Sequence, residues 1–132
     1  MTIFNDPVKS ALSKTLDAAA LRQRVMADNI ANADTPGFKK SVVHFEEALT
    51  KALGGNSLPL KKTNPRHISD DLLTVTPRTE QIKTTSLRAD GNNVDVDEEM
   101  VNLVANTMKY QGAIRFLSDK YAGLRYVISG GR

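Results

Sequence analysis

The sequence predicts a mainly α-helical protein, with two long terminal helices that pack as in a coiled coil, a short helix, and an extended or weakly β middle segment. A heptad pattern near each end and about 40 residues between them without a sustained period indicate this class. The chain has 132 residues, no Trp, and only 5% aromatic residues, so a compact globular core would be thin. Four segments follow: 1–34, 35–55, 56–93 and 94–132.

The first segment, residues 1–34, is predicted to be one helix. Asp6 is suited to cap its start, and Pro7 fits the first helical position, where an N–H group has no partner. Thr35 precedes a proline and is disfavoured in helical geometry, so the helix should end near Ala33. Spacings of four and three place one seam on this helix, made of Leu12, Leu16, Ala19, Gln23, Met26, Ile30 and Ala33.

The second segment, residues 35–55, opens with a turn. The run Asp34–Gly37 fits a type II turn, because Pro36 presets its φ and Gly37 supplies the positive φ of the next position. On the residues alone, a simple helix stop is the favoured interpretation of this turn, and a turn that aims the chain away from the helix is the alternative. A short helix is then predicted from Val42 to Leu53, ended by Gly54-Gly55. Its apolar face comprises Phe45, Ala48, Leu49, Ala52 and Leu53.

The third segment, residues 56–93, is predicted to be an extended arm or a mobile loop. It contains Pro59, Pro65 and Pro77, and it lacks helical periodicity. The stretches LLTVTPRT and QIKTTSLR, residues 72–79 and 81–88, are short strand candidates that could pair with each other.

The last segment, residues 94–132, contains the strongest pattern. Asp90-Gly91 marks a turn, and Asp95 with Glu98 forms a capping-box pair before a helix that Gly130-Gly131 closes. The seam of this helix alternates spacings of four and three through Val96, Met100, Leu103, Thr107, Tyr110, Ile114, Leu117, Tyr121, Leu124 and Ile128. The two seams, without Gln23, Ala33 and Thr107, are the predicted helix-packing interface.

A second apolar stripe lies beside this seam, at Val101, Val104 and Met108. Two helices alone would not cover both stripes, so the sequence predicts contacts with other chains. Head-to-tail contacts that do not close give a helical filament or tube, whereas a closed bundle of identical chains is the alternative. Whether the two terminal helices pair within one chain or between chains stays open at this point.

No catalytic, metal or cofactor site is predicted, and no small-molecule substrate. The chain has no Cys and no P-loop motif, and His44 and His67 stand apart from other ligand residues. Residues 90–93, DGNN, faintly resemble a calcium loop but lack its ligand spacing. The net charge of +3 arises in residues 56–88, without the dense basic stripe and stacking aromatics of a nucleic-acid binder. No secretory signal or membrane-spanning run is expected.

The stretch NIANADTPGFKK, at the end of the first helix, resembles the signature of the bacterial flagellar rod and hook family. That signature has the form A-N-x-x-T-P-G-[FY]-K, and here it covers Ala31, Asn32, Thr35, Pro36, Gly37, Phe38 and Lys39. DGNNVDVDEEM and YQGAIRFLSDKYAGLR also resemble the proximal-rod members of this family. The resemblance covers both ends of the chain well and the middle poorly.

The resemblance implies a structural, non-enzymatic subunit of the basal body. Such proteins are exported through the flagellar type III apparatus without a cleaved signal, and they assemble with themselves and other rod subunits into the drive-shaft tube. The implied position is the base of the rod, near the membrane ring and the adaptor subunit. In that setting Pro36 and Gly37 would fix the direction in which the chain leaves the helical layer. A soluble coiled-coil adaptor or chaperone of the export system is the alternative.

Overall fold

The computed structural model describes residues 6–53 and 74–130, and in this part the protein is mainly helical, as predicted. Along the sequence, a short helix and two short strands lie between two long helices. In chain order the elements are α1 (Pro7–Ala31), β1 (Ser41–His44), α2 (Glu46–Ala52), β2 (Arg78–Gln81) and α3 (Val96–Ile128). No helix in the described ranges is long and apolar enough to cross a membrane.

The two long helices pair antiparallel within one chain, which answers the question that the sequence left open. Hydrogen bonds join residues far apart in sequence: Asn29 with Glu99, Ala19 with Asn106, and Asp6 with Lys120. Ala19 of α1 and Ala113 of α3 are buried in the contact between the helices. Small side chains at these positions allow the two backbones to approach closely.

The start of α1 is the one predicted. Asp6 is the N-cap, its Oδ1 accepts a hydrogen bond from the Val8 N–H at 2.9 Å, and Pro7 occupies the first helical position. The helix ends at Ala31, two residues before the predicted Ala33, and Asn32 is the C-cap.

The middle of the chain differs from the prediction in two ways. The helix predicted from Val42 begins at Glu46, because Ser41–His44 form a strand, and β-branched residues such as Val42 and Val43 favour one. The predicted pairing between the two middle strand candidates is also wrong. The strand Arg78–Gln81 spans the boundary between them and pairs antiparallel with β1, from Ser41 opposite Gln81 to His44 opposite Arg78.

A small apolar cluster holds α2 against α1. Phe45 is buried with Ala18 and Val75, and Leu49 and Ala52 pack against them. Within the predicted apolar face of α2, by contrast, Ala48 and Leu53 are exposed. The predicted Gly54-Gly55 stop, the prolines at 59 and 65, and His67 lie outside the described residues.

The third helix begins at Val96 with the predicted Asp95 as its N-cap, and the Asp95 Oδ1 accepts from the N–H groups of Asp97 and Glu98 at 3.0 and 3.2 Å. The reciprocal half of the predicted capping box takes another form, because the Glu98 carboxylate receives a hydrogen bond from Lys40 Nζ at 3.1 Å. The helix ends at Ile128, and Gly130 has a φ of +72°, typical of a residue that closes a helix.

The side of α3 that faces α1 differs from the predicted seam. Every second residue of the predicted seam is replaced by the residue that precedes it in sequence. Alternating spacings of four and three connect the residues of this side: Glu99, Leu103, Asn106, Tyr110, Ala113 and Leu117. The predicted Leu103, Tyr110, Leu117 and Leu124 are partly buried. Five other predicted positions are exposed in the single chain: Val96, Met100, Ile114, Tyr121 and Ile128. On α1, Ala19 and Met26 are buried, and Leu12, Leu16 and Ile30 are partly buried.

Candidate functional site

The residues of the family-like motif meet the segment that precedes α3. We call this contact the exit junction: residues 29–41 on one side and residues 82–99 on the other. It lies where α1 ends and the chain turns toward β1.

The turn at the end of α1 begins one residue later than predicted. The Phe38 N–H donates to the Thr35 carbonyl at 3.2 Å, so Pro36 and Gly37 are its two central residues, and Asp34 precedes it. Gly37 has a φ of +72°, as the prediction required. A Cβ atom at this position would meet nothing within 4 Å, so glycine is needed here for its backbone conformation, not for space.

Asn32 and Thr35 stabilise this turn locally. The Asn32 Nδ2 donates to the Asp28 carbonyl at 2.8 Å, and its Oδ1 accepts from the Thr35 hydroxyl at 3.3 Å. The Thr35 N–H donates to the Asn32 carbonyl at 3.0 Å. Ala31 is exposed, and Phe38 is half-buried.

Lys39, the last residue of the motif, contacts the opposite side of the junction. Its Nζ donates to the carbonyls of Thr85 at 2.7 Å and Gly91 at 2.6 Å. An ammonium group carries three donors, and hydrogen bonds from charged donors are stronger than neutral ones. The residue therefore ties the chain after the turn to the loop before α3.

Asn29 is a junction residue that the motif does not include. Its side chain is buried, and it pairs with the backbone of Ser41 in both directions: Nδ2 to the carbonyl at 2.8 Å, and Oδ1 from the N–H at 2.9 Å. The amide thus replaces a neighbouring strand at the edge of β1. Its Nδ2 also donates to the buried Glu99 carboxylate at 3.1 Å, which links α1, β1 and α3.

Asn93, in the segment before α3, also uses its side-chain amide to bond to backbone groups across the junction. Its Oδ1 accepts from the Lys40 N–H at 2.6 Å, and its Nδ2 donates to the Ile82 carbonyl at 2.8 Å and the Thr85 hydroxyl at 3.0 Å. The sequence offered one signal for this role: two adjacent asparagines directly after a turn. Asparagine side chains commonly hydrogen-bond to irregular backbone, but which backbone they reach here depends on the fold.

Two ion pairs flank the junction and β1. Arg88 donates to the Asp34 carboxylate at 2.9 Å, and this contact raises the pKa of Arg88 above its usual value. Arg22 pairs with Glu46 and donates to the Val43 carbonyl at 3.3 Å. Burial alone would raise the pKa of Glu46, but the hydrogen bond and charge of Arg22 outweigh it and leave that pKa lowered.

The polar groups of the junction form a structural contact between α1, β1 and the segment before α3. Its carbonyls and amides bond to one another, and no group of three or more potential metal-ligating side chains occurs in residues 6–53 and 74–130. His44 lies exposed on β1, with its Nε2 3.2 Å from a Glu80 carboxylate oxygen. What this arrangement does is hold the end of α1, the start of β1 and the start of α3 in one fixed geometry.

Comparison with known proteins assigns the class. The family model described as "Flagella basal body rod protein" matches residues 11–39, which include most of α1 and the whole motif through Lys39. In these residues the chain is similar to proteins of the flagellar basal body rod class.

Full-length relatives make the assignment more specific. The flagellar basal body rod protein FlgB of Bacillus subtilis strain 168 is 33% identical over 132 residues and covers 100% of both chains. FlgB of Borrelia hermsii is 42% identical over an alignment of 135 residues, with 97% of this chain and 99% of the relative covered. FlgB of Buchnera aphidicola from Acyrthosiphon pisum is 34% identical over 124 residues, with 89% and 90% covered. The chain belongs to the FlgB family of flagellar basal body rod proteins.

This membership confirms the family resemblance read from the motif, and it agrees with a location in the flagellar basal body. The three relatives are named as rod proteins, which is consistent with a structural role and with the expectation that the chain is not an enzyme.

Proposed function

We propose that this chain is a structural subunit of the proximal rod that assembles through the outer face of α3. The observation that carries the proposal is an apolar stripe on a helix whose other side is already paired with α1. Val101, Val104 and Met108 are 69%, 53% and 68% exposed. Burying one such side chain fully is worth roughly 1.5–3 kcal/mol, so covering the stripe favours association.

The exposed half of the predicted seam extends this stripe. Met100 is 47% exposed and lies beside Val104 on the same side of the helix. A neighbouring copy or another rod subunit would therefore find a continuous apolar surface along α3. A contact of this kind, repeated head-to-tail without closure, builds a helical tube, as the drive shaft requires.

The finer partners rest on the family assignment rather than on a contact in this chain. In this proposal the subunit is exported through the flagellar type III apparatus without a cleaved signal. It then sits at the base of the rod, against the adaptor subunit and the membrane ring. Family membership favours this function over the alternative of a soluble adaptor or chaperone of the export system.

The assembly surface is tested with Val104→Glu, which places a carboxylate in the stripe. We expect sedimentation across a concentration series to show large species for the unmodified chain at high concentration and none for the variant, while circular dichroism shows the same helical signal for both. Cells carrying this variant should be non-motile. Ser13→Glu introduces the same carboxylate at an exposed position on α1, away from the exit junction, and should leave assembly unchanged. Normal motility with Val104→Glu would contradict the proposal.

The turn is tested with Gly37→Val. A β-branched residue at a φ of +72° is strongly disfavoured, so we expect the variant to block rod assembly more than it changes helix content. Gly37→Asn is the matched control, because asparagine tolerates this conformation better and the position has space for a side chain. Unaltered motility in Gly37→Val cells, or equal loss with both variants, would show that the turn geometry does not direct assembly.

A further inference from the structure

The turn that follows α1 contains backbone carbonyls that the neighbouring sequence satisfies only in part. The last carbonyls of any helix lack intrahelical partners, and helices commonly end with a local glycine that closes them. Here the glycine comes late, at Gly37, where it forms the next turn. The carbonyls of Asn32, Ala33 and Thr35 instead point toward one side chain from a distant part of the chain.

That side chain is Asn92. Its Nδ2 lies 3.1 Å from the Asn32 carbonyl, 3.0 Å from the Ala33 carbonyl and 2.9 Å from the Thr35 carbonyl. The first of these contacts bridges 60 positions in the sequence. An amide nitrogen has two hydrogens, so these carbonyls share them in a three-centred arrangement. Asn92 is 0% exposed, so no water replaces the amide as a donor.

The remaining groups of Asn92 fix its own position. Its Oδ1 accepts from the Val94 N–H at 2.7 Å, and its N–H donates to the Asp90 carboxylate at 3.0 Å. Its carbonyl accepts from the N–H groups of Leu87 and Arg88. The side chain is therefore held rigidly by the loop before α3 and presents its Nδ2 to α1.

Two further contacts join the same elements. An Arg88 guanidinium nitrogen donates to the Ala33 carbonyl at 3.0 Å, and the Gly37 N–H donates to the Asp90 carbonyl at 3.0 Å. The turn thus accepts hydrogen bonds from the segment that leads into α3, and it donates one hydrogen bond to that segment. Local N–H groups reach two of the three carbonyls, because the Thr35 N–H donates to the Asn32 carbonyl and the Phe38 N–H donates to the Thr35 carbonyl. Among the described residues, the Ala33 carbonyl accepts from Asn92 and Arg88 and so depends on that segment.

We infer that Asn92 is a positioning residue: it caps the C-terminal end of α1 from across the chain and so sets the geometry of the turn at Pro36 and Gly37. The end of α1 and the start of α3 consequently become ordered together. The turn takes its direction only after the loop at residues 85–93 has docked. The consequence for rod assembly rests on the proposed function, whereas the capping role does not.

The test compares amide hydrogen exchange in the folded, full-length chain before and after Asn92→Asp. This change keeps the shape of the side chain but, at neutral pH, turns the donor into an acceptor facing three carbonyls. We expect the Gly37 and Phe38 amides to exchange at least tenfold faster, while amides in the middle of α1, such as that of Val25, change far less. Asn102→Asp adds the same charge at an exposed position and should leave all these rates unchanged.

A second readout separates donor loss from a packing defect. Protonation returns one donor to the aspartic acid at position 92, so the excess exchange of the Gly37 and Phe38 amides should shrink as the pH falls, once intrinsic exchange rates are corrected for. Equal acceleration throughout α1, or no acceleration at the turn, overturns the inference. If Asn92→Asp does not fold, Asn92→Ser, which offers a single donor, is measured instead. Faster exchange at the turn than in the middle of α1 supports the inference, and equal acceleration throughout α1 or none at the turn overturns it.

The outcomes also distinguish this inference from the proposed function. Selective opening of the turn together with normal motility would support the capping role and count against the turn as a director of assembly. A failure of Val104→Glu to affect assembly would leave the exchange result intact. Uniform exchange in Asn92→Asp, with assembly lost in Val104→Glu, would remove the capping role and keep the rod subunit.

Discussion

The two ends of the α1–α3 hairpin are held by different chemistry. At the exit junction the side chains of Asn29, Asn92 and Asn93 are buried and bond to backbone on facing elements. We call the other end, where the start of α1 meets the last turns of α3, the open end. There Lys120 donates to the Asp6 carboxylate at 2.9 Å, and the Lys9 Nζ lies 5.6 Å from the centre of the Tyr121 ring. Those contacts are at the surface, where solvent weakens them.

The difference indicates which geometry the chain specifies by itself. Buried amides tolerate little displacement, because a lost partner leaves an unsatisfied polar group away from water. Exposed ion pairs tolerate considerable displacement at small energetic cost. The junction is therefore the rigid reference of the subunit. The open end and the outer face of α3 are free to adjust to neighbours in the proposed rod.

The largest effect is expected from Asn29→Ala at the junction. The change leaves the Ser41 backbone groups and the Glu99 carboxylate without their buried partner, which costs roughly 2–3 kcal/mol or more of unfolding free energy. Urea denaturation followed by circular dichroism measures this loss. Asn102→Ala, an exposed site on α3, should stay within about 0.5 kcal/mol of the unmodified chain. Similar midpoints for both variants would mean that the junction is not the rigid end.

An intermediate effect of opposite sign is expected from Asn106→Leu. Asn106 lies buried between the helices and donates to the Ala19 carbonyl at 2.8 Å, but its Oδ1 has no hydrogen-bond partner in the described part of the chain. A buried amide oxygen without a partner is destabilising, so an apolar residue of similar size should raise stability by about 1 kcal/mol.

The same variant should loosen the fit of the two helices. A polar residue at a packing position fixes the register of a helix pair at some expense of stability. We expect Asn106→Leu to unfold at a higher urea concentration while its side-chain NMR signals broaden along α1 and α3. A drop in stability would show instead that the bond to Ala19 matters more than the unsatisfied oxygen.

Sequence reasoning identified what is encoded locally. The caps at Asp6 and Asp95, the positive φ of Gly37 and the two long helices depend on residues within a few positions of one another, and all occur in the structure. The class of fold followed from the two seams. These features need no knowledge of which parts of the chain meet.

The predictions that were wrong concern features that contacts between distant residues determine. The heptad pattern alone favours Met100 and Ile114 as inward positions, but Glu99 and Asn106 face α1 because Asn29 and the Ala19 carbonyl supply polar partners there. Likewise, β2 pairs with β1 rather than with a neighbouring stretch. A hydrophobic periodicity does not reveal such polar pairings, and a turn signal such as DGNN does not reveal which helix end it caps.

The smallest effect is expected at the open end, from Lys120→Met, which keeps much of the aliphatic stem and removes the charge. The hydrogen bond from Lys120 is the main reason that the pKa of Asp6 lies below its ordinary value of 3.8, and the hydrogen bond from the Val8 N–H is the second. A lowered carboxyl pKa stabilises the fold above the unfolded pKa, and this stabilisation is lost as the pH falls through the folded pKa. The variant should therefore be slightly less stable at about pH 6 and no different well below pH 3.8. Added salt near 1 M should also abolish the difference by screening.

Lys83→Met, at another exposed lysine, controls for the loss of one positive charge. If the difference between Lys120→Met and the unmodified chain persisted in acid and in salt, the open end would be fixed by packing rather than by charge, and the contrast with the exit junction would weaken.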